Sequence, residues 1–263
     1  MSGHSKWAKI KRQKGVNDVR RGNLFTKLAK NITLAAKEGG GDIGMNFTLR
    51  LAVDKAKVAN MPSDNIQRAI DKGTGKGSEG ITYHRVTYEA LGPGGIAVLV
   101  DCQTDNTNRT VSEVRNMIET NGGKMASTGS ISWQFTEKGL IIVGLTKVLP
   151  SKQFGKDEEI VKVDADEAEI ELFDTEGIED LNRVEWLVDD VEVDAFELIT
   201  VKEDFSKVLK SIEQLNFKIL SAELVKVPNE KVEVDDDKTL DKINAFIQNL
   251  EEHDDVDSVW TNN

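Results

Sequence analysis

The stretch DKGTGKGSEG at residues 71–80 marks the point where the hydrophobic period of the chain changes. Upstream, apolar residues recur every three to four positions, as on one face of a helix; downstream they alternate or run in short blocks between turn signals, as in strands. A polar, Gly-rich segment at that boundary reads as a linker, so a helical part precedes a sheet-bearing part. The 263 residues are enough for two domains or more. Gly75-Lys76-Gly77 superficially resembles a phosphate loop, but it has neither the spacing nor the strand-to-helix context of a Walker motif.

Before the linker, Leu24, Phe25, Leu28, Ile32 and Ala35 predict an amphipathic helix from about residue 23, stopped by the glycines of EGGGD. Leu49, Ala52, Val53 and Ala56 predict a second helix over 45–59. Ile66, Ala69 and Ile70 predict a third, with Pro62 near its first turn and Gly73 at its end. Each is apolar on one face only, so the three must pack on one another as a small bundle.

After the linker, ITYHRVTYEA and IAVLVDC read as two strands joined by the turn LGPGG. In TDNTNRT, Asn106 or Thr107 caps a helix with Val111, Val114, Met117 and Ile118 inward. SISWQF and GLIIVGL read as two further strands, separated at Glu137-Lys138-Gly139. Residues 150–200 carry 18 acids against 4 bases and predict one helix and one strand before the strand DAFELITV. A helix with Phe205, Val208, Leu209 and Ile212 inward and the strand KILSAELVKV follow. From 140 to 227 this order is that of a ferredoxin-like split βαβ domain. The later helix with Leu240, Ile243, Phe246, Ile247 and Leu250, and the strand VDSVW, cannot complete that domain. They are expected to return to the sheet begun at residue 81. The fold class is therefore α+β in three domains: an arm and three-helix bundle at 1–78, an α+β domain at 79–137 and 229–263, and an inserted ferredoxin-like domain at 138–228.

Charge separates along the same lines. The formal net charge is -12, yet residues 1–76 hold 16 Lys or Arg against 6 Asp or Glu, while residues 77–263 hold 18 against 40. A basic part on an acidic chain points to a polyanionic partner, because each phosphate met by Lys or Arg releases condensed counterions. The acidic remainder would repel the same polyanion and so present one end of the molecule. The densest basic stretch is the opening, SGHSKWAKIKRQKGVNDVRR. There Lys6, Lys9, Lys11, Arg12, Lys14, Arg20 and Arg21 surround Trp7, an aromatic face for a base beside charges for phosphates. Lys27, Lys30, Lys55 and Lys57 extend that surface. Arg109 lies beside a strand end, where α/β sheets commonly bind ligands.

Several quoted segments go beyond pattern. SGHSKWAKIK, RGNLFTKL, EGGGD, LRLAVDKAKVANMPSDNI, KGTG, YEALGPGG and TDNTNRTVSEVR, in that order, resemble the YebC family, which includes the PmpR-type bacterial regulators and a mitochondrial translational activator. The similarity is dense from residue 2 to about 145 and resumes from 195. It implies an N-terminal helical bundle followed by an α+β domain carrying a ferredoxin-like insertion. It also implies a non-enzymatic nucleic-acid binder, a transcriptional regulator on DNA. The alternative it carries is a ribosome-associated factor that binds ribosomal RNA and assists difficult peptide synthesis such as proline-rich stretches. Lys9 replaces the usual Asn of the SKWANIK form, and the acidic 147–190 stretch is longer than typical.

Other classes have less behind them. Asp101, Asp105 and Glu113 could hold Mg2+ for phosphodiester cleavage, but no metal-spaced motif accompanies them, and His4, His84 and His253 are scattered. No catalytic residue, cofactor, metal or small-molecule substrate is expected. An interaction scaffold gripping a basic protein through the acidic insertion is the third class. The single cysteine, Cys102, excludes an intramolecular disulfide, and no apolar run approaches the roughly 20 residues that span a bilayer. A cytoplasmic protein without membrane contact is expected.

Overall fold

The computed structural model describes residues 18–76, 83–150, 158–188 and 191–263. Among them the chain forms two compact units, one of residues 137–225 and one of 18–136 with 226–263. No helix of the described residues is long and apolar enough to cross a membrane.

Helix α1 (Asp18–Gly39) begins five residues before its apolar stripe predicts and so includes Arg20 and Arg21. Helix α2 (Phe47–Val58) is capped by Asn46, whose Oδ1 accepts the Leu49 N–H at 3.0 Å. The Asn46 amide donates to the carbonyls of Ala35 and Gly40, both at 2.8 Å, so one side chain starts α2 and ties it to the end of α1. Such a cap contributes about 1 kcal/mol. Helix α3 (Ser63–Gly73) starts directly after Pro62. It crosses α1 so closely at Gly73 that a Cβ there would lie 2.3 Å from the Thr33 carbonyl. Leu28, Ile32, Leu49, Val53, Ile66 and Ile70 form the core of the bundle. Ile32 and Leu49 are fully buried, and cutting either to Ala should cost about 2–5 kcal/mol.

Strand β1 (His84–Leu91) turns through Pro93–Gly95 into β2 (Ala97–Thr104), antiparallel and in register from His84 opposite Thr104 to Leu91 opposite Ala97. Asn106 caps helix α4 (Thr107–Thr120) by accepting the Arg109 N–H at 3.1 Å. A two-residue strand β3 (Lys124–Met125) then pairs with the end of β1.

The strand expected at SISWQF is absent. The buried carboxylate of Glu89 collects the N–H groups of Gly129 (2.6 Å), Ile131 (2.5 Å) and Ser132 (3.1 Å), which are thereby unavailable to a ladder. Ser132–Gln134 is a short 3-10 turn, and β4 (Phe135–Pro150) runs on from it without the break expected at Gly139. Glycine serves there as a packing residue: opposite Thr200, its Cβ would meet the Phe205 ring and the Thr200 hydroxyl.

The acidic stretch holds one strand more than predicted before the expected DAFELITV strand: β5 (Glu158–Lys162), α5 (Ala165–Phe173) and β6 (Ile178–Val188) precede β7 (Val191–Val201). Helix α6 (Phe205–Gln214) and β8 (Phe217–Pro228) complete the unit. Its sheet has the order β5-β4-β7-β6, with β8 also on β4. Without β5, a hairpin on the far end of β4, this is the expected split βαβ arrangement.

Helix α7 (Asp237–Glu251) and strand β9 (Val256–Thr261) return to the sheet begun by β1 and β2, as expected. Strand β9 pairs with β2, giving the order β3-β1-β2-β9. Helices α4 and α7 cover one face, burying Val114, Ile118, Ile243, Phe246 and Leu250 against Ala90, Val98, Val100 and Val259.

Candidate functional site

Of the residues singled out for nucleic acid, Lys6, Trp7, Lys9, Lys11, Arg12 and Lys14 lie outside the described residues. Arg20 and Arg21 fall in the first turn of α1. Lys27 and Lys30 lie further along the same helix, and Arg109 lies in the first turn of α4. The structure brings Lys27, Lys30 and Arg109 together on the segment that joins α7 to β9.

The centre of that meeting is Asp255, only 4% exposed. Its Oδ1 accepts Lys30 Nζ at 2.7 Å; its Oδ2 accepts Arg109 Nη2 at 2.7 Å and the Thr110 hydroxyl at 2.8 Å. Burial alone would raise this carboxyl, but the hydrogen bonds from Lys30, Arg109 and Thr110 outweigh it and hold the group well below the usual carboxylate range. Lys30 also donates to the carbonyls of Asp254 (3.0 Å) and Gln103 (3.4 Å), so its ammonium points inward. Its side chain is 11% exposed. Arg109 is half-exposed but faces three carboxylates, adding Asp105 at 3.1 Å and Glu113 at 3.7 Å to Asp255.

The surrounding bonds extend the joint. Lys27 donates to the Glu251 carbonyl at 2.5 Å, and Asn31 donates to Asp257 at 2.8 Å while accepting from the Gln103 amide. His253 Nδ1 accepts the Asp255 N–H at 3.1 Å, which leaves its Nε2 to face Glu113 at 3.1 Å. Helix α1 is thus fixed to the sheet by polar bonds from three of its side chains, Lys27, Lys30 and Asn31. A cleft of about 710 Å3 opens over this network and is walled by Asp105, Glu113, Glu252 and Asp254 as well as Asp255.

The three carboxylates considered for Mg2+ do not converge. Asp101 accepts from Lys226 (2.6 and 2.8 Å), from the Trp260 indole (2.7 Å) and from Thr87 (2.5 Å), whereas Asp105 and Glu113 flank Arg109. Among the described residues no group of three His, Cys, Asp or Glu side chains could hold a metal ion. Cys102 is buried, and burial, followed by the charges of Asp101, Asp255 and Asp257, pushes its thiol up to about 12, far from a reactive thiolate. Asp255 and His253 are the site residues that sequence reasoning missed. Asp255 is one of 46 acids, and only the fold tells it from the rest.

Residues 5–76 match the family domain described as the TACO1/YebC protein N-terminal domain, and residues 83–263 match the TACO1/YebC second and third domain. The chain belongs to the TACO1/YebC family. Among its TACO1/YebC relatives, a probable transcriptional regulatory protein of Borreliella burgdorferi is 45% identical over all of this chain and 97% of its own length. One of Halothermothrix orenii bearing the same description is 42% identical over all of this chain and 94% of its own. The crystal structure of a conserved hypothetical protein from Aquifex aeolicus superimposes with a TM-score of 0.79 at 36% identity, covering 98% of this chain and 96% of that one.

Proposed function

We propose that this protein is a non-enzymatic regulator of gene expression that binds nucleic acid, DNA in the first instance, through its basic arm and the start of α1. The observation that carries the reading is the charge distribution: 16 Lys or Arg against 6 acids up to residue 76, and 18 against 40 beyond it. The regulatory names of its full-length relatives support it. Lys6, Lys9, Lys11, Arg12, Lys14, Arg20 and Arg21 meet phosphates, and Trp7 stacks on a base. Lys27, Lys30 and Arg109 serve the same interface as its frame, because they fix α1 to the sheet unit. The exposed Lys37 and Lys76 add positive charge to the bundle surface, while Lys57 pairs with Asp54 at 3.3 Å. The protein acts in the cytoplasm, with arm and bundle as one domain, and the charge of the two acidic domains orients it on the polyanion.

Fluorescence anisotropy with duplex DNA and with RNA at 50 and 200 mM salt tests this. Six phosphate contacts predict a fall in affinity of roughly a thousandfold between those salts, and removal of residues 1–20 should abolish most of the slope. A flat salt dependence, or binding untouched by the truncation, would contradict it. Tighter binding to ribosomal RNA than to DNA would move the target to the ribosome.

A further inference from the structure

Beside the acidic cleft lies a second cavity of about 350 Å3 with the opposite character, bounded by α1, α3 and Tyr83. Asn65, Arg68 and Lys72 line it at the i, i+3 and i+7 positions of α3, one face of that helix. Phe25 and Met61 supply apolar wall. Lys72 Nζ lies 4.9 Å from the centre of the Tyr83 ring and 3.3 Å from its hydroxyl, which holds the ring at the mouth. Lys30 also approaches the ring, at 5.8 Å, but its charge is answered by Asp255. Among the described residues Arg68 makes no ion pair and the side-chain amide of Asn65 makes no hydrogen bond, its backbone N–H donating to the Pro62 carbonyl. Among those residues the lining contains no carboxylate, whereas the neighbouring cleft carries five.

We propose that this cavity takes a single unpaired nucleotide of a nucleic-acid strand, its base between Phe25 and Tyr83 and its phosphate on Arg68 and Lys72. The proposal rests on the nucleic-acid reading above and adds a second point of contact, distinct from the arm. A volume at the lower end of the range for small-ligand sites accommodates one base and excludes a base pair. Aromatic and apolar walls suit a base that has left its stack, and an amide beside them offers a donor and an acceptor to its edge. Two cations with no opposing acid suit the phosphate that comes with it.

The test is anisotropy with the full chain at low salt on three oligonucleotides: a paired duplex, the same duplex with a one-nucleotide bulge, and that duplex with an abasic bulge. The intact protein should prefer the base-bearing bulge over both others by at least about fivefold, the lower end of what one stacked base contributes. Arg68→Gln with Lys72→Gln, and separately Tyr83→Leu, should erase the preference and leave duplex affinity within about twofold. Circular dichroism confirms that these exposed or half-exposed substitutions leave the fold intact. Equal binding of all three oligonucleotides, or an unchanged preference in both variants, would overturn the pocket assignment alone. Failure to bind any of them would overturn the nucleic-acid reading as well. Calorimetry with free AMP and UMP distinguishes the source: binding of either that is lost in the variants, without a bulge preference, overturns the strand as occupant and makes the ligand a soluble nucleotide.

Discussion

The two units use opposite charges in different ways. In residues 137–225 Lys207 with Glu176, Arg183 with Asp166 and Glu169, and Lys202 with Glu137 pair on the surface, while Lys138 with Glu179 and Lys147 with Glu171 are partly covered. Such exposed pairs hold two long side chains in one geometry for a modest Coulombic gain in water, so they contribute little to stability. The other unit has surface pairs too, Lys57 with Asp54 and Arg85 with Glu38, but it also draws carboxylates inward. Asp255 gathers Lys30, Arg109 and Thr110 from two helices, and Asp101 gathers Lys226, Trp260 and Thr87 from three strands. An acidic chain can therefore carry most of its carboxylates as solvated surface and still use two of them as joints.

The contrast can be broken most severely at Asp255. Asp255→Asn keeps the shape but leaves Lys30 buried without its counter-charge, and urea unfolding should show a loss of about 3–5 kcal/mol. The same variant reports on pH. Because the folded carboxyl lies below its ordinary value, the unfolded chain binds the proton more readily. The stabilisation is therefore complete above about pH 4 and declines as pH falls below it. The acid limb of a stability-pH curve should be shallower for Asp255→Asn than for the unaltered chain. A smaller effect is expected at Glu89, where Gln presents an amide to backbone N–H donors. A loss of about 1–3 kcal/mol should accompany faster hydrogen exchange at residues 129–132. At the other extreme, Lys207→Gln should leave the urea midpoint where it is. A shift there comparable to that of Asp255→Asn would erase the distinction between the two units.

Much of the fold was legible because its signals are local. Leu28, Ile32 and Ala35 announce one helical face, Asn106 announces its own cap, and the apolar run AVLVDC announces a buried strand. What stayed hidden depends on distant partners. Gly139 reads as a breaker until Phe205 and Thr200 are seen to occupy the space its Cβ would need. Ile131 and Ser132 read as strand until Glu89, some forty residues earlier, takes their N–H groups. In β6 the alternation is blurred because both faces carry half-exposed side chains among the acids. The site divides the same way. Lys30 and Arg109 were visible as cations, but the carboxylate that turns both inward was not distinguishable in the sequence, and the cavity beside Tyr83 requires α3 and α1 to be placed first.

The bond between Lys30 and Asp255 spans 225 positions. Synthesis proceeds from the amino end, so the three-helix core has all its parts once residue 73 has emerged, whereas its anchor arrives after the whole inserted unit. Contacts across such separations are the last to close. A half-made chain would therefore carry a helix α1 that is folded yet not tied to residues 251–257. The joint makes completeness of the polypeptide a precondition for its orderly use.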